Sequence, residues 1–204
     1  EWEYEIISLF FIGKVWRIFM KGEDGMLQIG LTGGIASGKS TVVAMLRQLG
    51  AGIIDCDQLA HDVVRPGSFG LKEVAEAFGP QVLCADGSMD RAYMGRVVFG
   101  NKEKKAQLEG ILFPLIQREI DNKIEIIKIK KENPAIFLDM PLLFEIKYDS
   151  YVDEAWLVYV DPATQLSRLM ARNHYTRDEA MARIHAQLPI DTKRSLAQVI
   201  IDNT

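Results

Sequence analysis

The nine residues from Gly33 to Thr41, GGIASGKST, have types and spacing that suit phosphate chemistry. Gly33, Gly38, Lys39 and Ser40 satisfy GxxxxGKS, a pattern that binds phosphate when it follows a strand and opens a helix. Glycines permit the turn and let successive backbone N–H groups converge on phosphate oxygens. The free N–H groups and dipole of a helix start favour negative charge at the same place. Lys39 then bridges terminal phosphates, Ser40 offers a hydroxyl to Mg²⁺, and Thr41 reaches an α-phosphate. The expected nucleotide-binding set is therefore Gly33, Gly34, Ile35, Ala36, Ser37, Gly38, Lys39, Ser40 and Thr41.

Carboxylates follow at suggestive places. Asp55 and Asp57 lie at i and i+2 where a second strand ends, so both can point to the side where open α/β sheets place ligands. An aspartate there can accept the proton of an attacking hydroxyl and orient its oxygen in line with a γ-phosphorus. Asp57 is the expected base. The competing reading, that these residues only cap the next helix, weighs more on Asp55. Asp139 ends an apolar strand, a position from which a carboxylate holds Mg²⁺ through water, or else it is a turn residue before Pro141. Glu145, in PLLFE, is either a substrate-side acid or a solvated loop charge.

Positive charge gathers late in an acidic chain: Arg168, Arg172, Arg177, Arg183, Lys193 and Arg194. Arg168 and Arg172 are four apart on a helix and share a face, so their guanidinium groups could clamp a transferring phosphoryl group from a closing lid. The plainer alternative is a solvated charged face. A phosphate loop is common to kinases, GTPases and motor ATPases. The chain carries neither the NKxD of base-reading GTPases nor a DxxG switch, which makes a small-molecule kinase using ATP and Mg²⁺ the leading class.

These residues need elements to position them. Leu27–Thr32 reads as a strand and Lys39–Leu49 as a helix ended by Gly50. Gly52–Asp55 reads as a second strand, and a helix from about Gln58 to Val64 stops at Pro66-Gly67. The middle is mainly helical, broken at Gly79-Pro80 and Asp86-Gly87, with a strand signal only at Gln81–Leu83 and a proline, Pro114, in its long charged stretch. Ala135–Asp139 and Ala155–Val160 are continuous apolar runs suited to strands covered on both faces. Asp161-Pro162 opens a helix through Arg172, Thr176 with Glu179 forms a capping box for another through Ala186, and Val199–Ile201 reads as a last strand. The expected class is α/β: a doubly wound parallel sheet of the P-loop NTPase type, with a helical insertion between the second and third strands, which the family resemblance given below makes substrate-binding, and a helical lid. The expected core spans 26–65, 134–164 and 195–204, the insertion about 66–133 and the lid about 165–194, all within a single domain over 26–204.

Composition agrees. The chain has 204 residues, 48% hydrophobic and 25% charged, enough for one sizeable core. A net charge of −4 argues against a nucleic-acid-binding protein. Cys56 and Cys84 form no paired motif, which fits a reducing, cytoplasmic location. In residues 1–25 the apolar run Ile6–Ile12 is too short to cross a bilayer of roughly 30 Å, so no membrane-spanning helix is expected, the alternatives for this segment being an extra edge strand or helix, or a membrane-surface or partner segment. Those residues read as a non-native or disordered extension before Met26.

From Met26 onward the chain resembles the dephospho-CoA kinase family, on the landmarks IGLTGGIASGKST, IIDCDQLAHDVV, FPLI, MPLLFE, QLSRLMAR, RIHAQ and the terminal VIIDN. The resemblance implies transfer of the ATP γ-phosphate to the ribose 3′-hydroxyl of dephospho-CoA, with Mg²⁺, the last step of coenzyme A synthesis; separately, a monomer is expected. It implies Asp57 as base, Arg168 and Arg172 as lid residues, and Asn203 beside the adenine. Two departures stand out. Phe113 occupies the place where the family usually has His, and the chain stops at Thr204 where the family continues into a further helix, so a fragment cut at both ends is expected. The alternatives are another P-loop kinase of nucleosides or metabolites, and a nucleotide-binding module without turnover.

Overall fold

The computed structural model describes residues 26–204, so the expectation for residues 1–25 lies outside the described residues. Apolar runs make the sheet: β1 (Leu27–Gly33), β2 (Gly52–Asp55), β3 (Ala135–Asp139), β4 (Glu154–Tyr159) and β5 (Val199–Asp202). Their order is β2-β3-β1-β4-β5, and the sheet is parallel. β1 is therefore central, with Ile29 opposite Phe137 on one side and Leu31 opposite Trp156 on the other. Parallel strands need crossovers, and helices supply them: α1 (Lys39–Gln48), α2 (Cys56–Val63), α3 (Phe69–Phe78), α4 (Arg91–Val98), α5 (Lys102–Lys130), α6 (Pro162–Asn173), α7 (Arg177–His185) and α8 (Ile190–Leu196). The α/β class and parallel sheet expected from the sequence are the ones observed. No helix among the described residues is long and apolar enough to cross a membrane.

The fold divides into two compact units. One comprises the described chain up to Ile54 together with Ile127–Thr204 and holds the sheet. Its main core packs Ile29, Leu31, Phe137, Trp156 and Val158 against Val42, Val43 and Leu46 of α1. Phe137 meets Trp156 edge to face, with ring centroids 5.3 Å apart. The other unit, Asp55–Ile126, is mostly helical and has its own core of Val74, Val82 and Met94 with Leu108, Ile111 and Leu112.

One local expectation changed, and two features went beyond the sequence reading. Gln81–Leu83 is not a sheet strand: Pro80–Val82 forms a 3-10 turn, and Leu83 makes only an isolated antiparallel bridge to Met89. Gly79, at φ 90°, and Pro80 enforce this turn, while Val82 is pulled inward as a fully buried side chain. Pro114 does not break the long helix, since α5 runs through it for 29 residues. The residue whose carbonyl its ring approaches is Gly110, where no side chain crowds the turn. Finally, α8 was not anticipated. Ile190 is 4% exposed, and packing with Leu157 and Tyr159 stabilises a helix too short to signal itself by periodicity.

Candidate active site

The loop after β1 begins where the central strand ends. Gly33 to Gly38 turn the chain, with Ser37 N–H donating to the Gly34 carbonyl over 3.0 Å. Ala36 has φ 61° and Gly38 φ 88°, so two left-handed residues bring the chain back into α1. Glycine at 38 answers two demands: the positive φ and the approach of the Asn203 amide, into which a Cβ would project. The N–H groups of Gly38, Lys39 and Ser40 donate to no acceptor among the described residues. These are the unsatisfied donors of a helix start, where the dipole adds positive potential. Ser40 and Thr41, on the first turn, are exposed.

Lys39 reaches across to β3. Its ammonium forms an ion pair with the Asp139 carboxylate, and both side chains are more than four-fifths buried. The register that sets Asp139 opposite Leu31 puts this carboxylate at the same sheet edge as the loop. Thus the structure brings Lys39 and Asp139 together, as strand-end positions at 33 and 139 require.

The far end of the chain returns to the loop. Asn203 N–H continues the β5 pairing by donating to the Tyr159 carbonyl over 2.8 Å, and its side-chain Nδ2 donates to the Ser37 carbonyl over 2.9 Å. Arg168, on α6, donates through NH1 to the Asn203 carbonyl over 2.7 Å. Arg172 lies exposed one turn on and donates to Asn173 Oδ1 over 2.9 Å. The two arginines share a helix but have different partners here.

The basic segment is less uniformly available than a count of charges implies. Lys193 is fully buried, donating to the Pro141 carbonyl and pairing with Glu145 Oε1, each at 2.8 Å. Glu145 also accepts from Leu188 N–H over 3.0 Å, so it is a paired acid and not a solvated loop charge. Arg194 stacks over the Tyr159 ring with 4.6 Å to its centroid. Burial, and then the bond its hydroxyl donates to Asp191 over 3.0 Å, pushes the Tyr159 pKa up. Arg177 and Arg183 lie on exposed positions of α7, Arg183 with its guanidinium 4.9 Å from the Tyr175 ring centroid.

Helix ends in this segment are held by caps. The Asp161 side chain accepts from the N–H groups of Ala163 and Thr164, and Pro162 presets the first turn of the helix. Thr176 and Glu179 form the full capping box expected, and the Thr176 backbone N–H, followed by its hydroxyl, holds the Glu179 carboxyl below the usual range.

Asp55 and Asp57 belong to the Asp55–Ile126 unit. Asp55 is the N-cap of α2, its Oδ1 accepting from Gln58 N–H over 2.8 Å. Asp57 stands in the first turn of the same helix. His61 shares its face, four residues on, and Arg91 NH2 lies 2.7 Å from His61 Nδ1. A cavity of about 350 Å³ in this unit is lined by residues including Leu59, Asp62, Arg65, Arg118 and Lys123. Leu59 lies about 200° around the helix from Asp57, so this cavity faces away from the candidate base.

Sequence reasoning missed two glutamines. Gln187 Oε1 accepts from Ile35 N–H, and Gln165 Nε2 donates to the Ile35 carbonyl, both at 2.9 Å. Their signal was present in QLSRLMAR and RIHAQ, but uncharged amides attract no attention when arginines stand beside them.

A family model described as dephospho-CoA kinase matches residues 27–204. A dephospho-CoA kinase from Carboxydothermus hydrogenoformans is 51% identical over 176 residues, covering 86% of this chain and 85% of that protein. One from Geobacillus kaustophilus is 46% identical over 177 residues, covering 87% and 88%. Among solved structures, TT1252 from Thermus thermophilus aligns with a TM-score of 0.75 at 34% identity, covering 88% of this chain and 89% of that one. A dephospho-CoA kinase from Campylobacter jejuni aligns with a TM-score of 0.57 at 28% identity and the same coverage. With a model spanning nearly every described residue, and relatives near half identity over most of both chains, the protein belongs to the dephospho-CoA kinase family.

Proposed function

We propose that this protein transfers the γ-phosphoryl group of ATP to the ribose 3′-hydroxyl of dephospho-CoA, giving coenzyme A and ADP. The observation that carries the reading is the open row of N–H donors from Gly38 to Ser40 beneath Lys39, in a chain of this family. Such a row receives the β- and γ-phosphate oxygens of a triphosphate. With the nucleotide present, the Lys39 ammonium moves from Asp139 to the phosphates, and the freed carboxylate and the Ser40 hydroxyl become available. These are hard oxygen donors of the kind Mg²⁺ takes, and the bound ion supplies charge neutralisation across the phosphates.

Asp57 takes the proton of the 3′-hydroxyl as the ribose oxygen bonds to the γ-phosphorus. The bond from that phosphorus to the β–γ bridging oxygen breaks, and ADP leaves. Arg168 and Arg172 neutralise charge on the transferring group from a lid at about 165–194, and Asn203 stands on the adenine side of the loop. Helices of about 66–133 receive the acceptor, while 26–65, 134–164 and 195–204 form the core. Dependence on free ATP places the reaction in the cytoplasm.

The test is ADP release with Mg-ATP and a panel of dephospho-CoA, adenosine, uridine and coenzyme A. Dephospho-CoA alone should stimulate release strongly. Stimulation by another acceptor instead would assign the chain to a different small-molecule kinase, and no stimulation by any would leave a nucleotide-binding module.

A further inference from the structure

Ile35 occupies the third position of the phosphate loop, and the peptide planes on both sides of it are gripped by side chains from far along the chain. The plane before it is held where Ile35 N–H donates to Gln187 Oε1, and the plane after it where the Ile35 carbonyl accepts from Gln165 Nε2. Gln165 is on the first turn of α6 and only 3% exposed. Gln187 lies just beyond α7, where its own N–H donates to the Ile184 carbonyl over 3.2 Å. The segment that carries Arg168, Arg172, Arg177 and Arg183 therefore leaves the loop at one glutamine and rejoins it at the other.

The rejoining end is anchored again one residue later. Leu188 N–H donates to Glu145, Glu145 pairs with the buried Lys193, and Lys193 donates to the carbonyl of Pro141, two residues past Asp139. The loop needs such restraint. Ala36 holds φ 61°, a left-handed conformation that a non-glycine residue keeps only when its surroundings fix it. Rotation of the plane between Ile35 and Ala36 sets that angle, and Gln165 holds that plane by its carbonyl oxygen.

We infer that Gln165 and Gln187 are positioning residues for the nucleotide: they fix the two peptide planes at Ile35 and thereby tie both roots of the arginine-bearing segment to the phosphate loop. The inference rests on the proposed ATP site and lid, and is independent of which acceptor is used. It has a chemical signature, because one glutamine serves as an acceptor and the other as a donor. Gln187→Glu keeps an oxygen for the Ile35 N–H. Gln165→Glu loses the donor and sets a carboxylate against the Ile35 carbonyl.

The experiment measures binding of a non-hydrolysable ATP analogue with Mg²⁺, without acceptor, to Gln187→Glu, Gln187→Leu, Gln165→Glu and Gln165→Leu, with thermal midpoints recorded for each. Loss of a hydrogen bond of ordinary strength should weaken binding about tenfold in Gln187→Leu, Gln165→Leu and Gln165→Glu, and Gln187→Glu should stay within about threefold of the parent. Hydrogen exchange at the Ile35 amide should quicken in Gln187→Leu and not in Gln187→Glu. Equal weakening by the two Glu variants would mean that added charge merely repels the triphosphate, and would overturn the inference. Unchanged binding in Gln187→Leu would do the same, and that half-buried site makes a folding failure easy to recognise from its midpoint. Because no acceptor is present, failure here leaves the dephospho-CoA reading untouched, and failure of that reading leaves this one standing.

Discussion

At the scale of single residues, the two acids that open α2 separate cleanly. Asp55 is the helix cap, and Asp57 is in the first turn beyond it. Asp57→Asn keeps the shape and removes the basic oxygen, so turnover should fall by about 100-fold or more, the range of a lost general base, while affinity for an ATP analogue stays near the parent value. Single-turnover kinetics beside calorimetric binding would check both halves, and unchanged turnover would remove Asp57 from the role. Gly38 supports the opposite separation. An alanine there is strained at φ 88° and pushes against the Asn203 amide, so Gly38→Ala should weaken ATP binding by roughly tenfold or more, as a strained left-handed residue and a displaced loop imply. Calorimetry with the ATP analogue reads this directly.

At the scale of elements, the ends of helices and the roots of loops determine what the site can hold. The capping box of α7 depends on an ionised Glu179, whose pKa is depressed chiefly by the Thr176 backbone N–H. A depressed carboxylate contributes stability that is present above its ordinary value of 4.5 and is lost as pH falls through the lower folded value. Amide protection factors in the first turn of α7 should therefore fall in acid below that range, and Glu179→Gln should flatten the dependence. The buried Lys193 makes a second test. Lys193→Met leaves Glu145 without its cation and the Pro141 carbonyl with the Thr32 hydroxyl as its remaining donor, and should cost about 3 kcal/mol in chemical denaturation, the lower end for one partner removed from a buried pair. Adding Glu145→Gln should recover part of that loss, because the two residues share one interaction.

For the whole molecule, ligand binding and folding are linked. A nucleotide that binds only the folded loop stabilises the sheet-bearing unit by mass action, about 2.7 kcal/mol at a ligand concentration 100 times Kd. ATP with Mg²⁺ should accordingly raise the thermal midpoint, and Lys39→Ala should abolish the rise, as read by scanning calorimetry. Trp156, buried in the core beside Phe137, belongs to the unit whose unfolding is being followed.

The sequence by itself determined the class of the fold and marked the loop proposed to hold the donor phosphates. Continuous apolar runs such as AIFLD cannot sit comfortably except as strands covered on both faces, and GxxxxGKS needs few long-range facts to be recognised, because its chemistry lies in the backbone of nine adjacent residues. The caps at Asp161 and Thr176 were legible for the same reason: their partners are within three residues. Only the tertiary structure decided which charges remain available and what holds the loop. Lys193 reads as one more surface cation until Glu145 and the Pro141 carbonyl close around it from about fifty residues away. Gln165 and Gln187 read as filler until chain folding sets both against Ile35, more than a hundred residues upstream. A side chain's chemistry is written in its own type, but its burial and its partner are set by segments that only the folded sheet brings together.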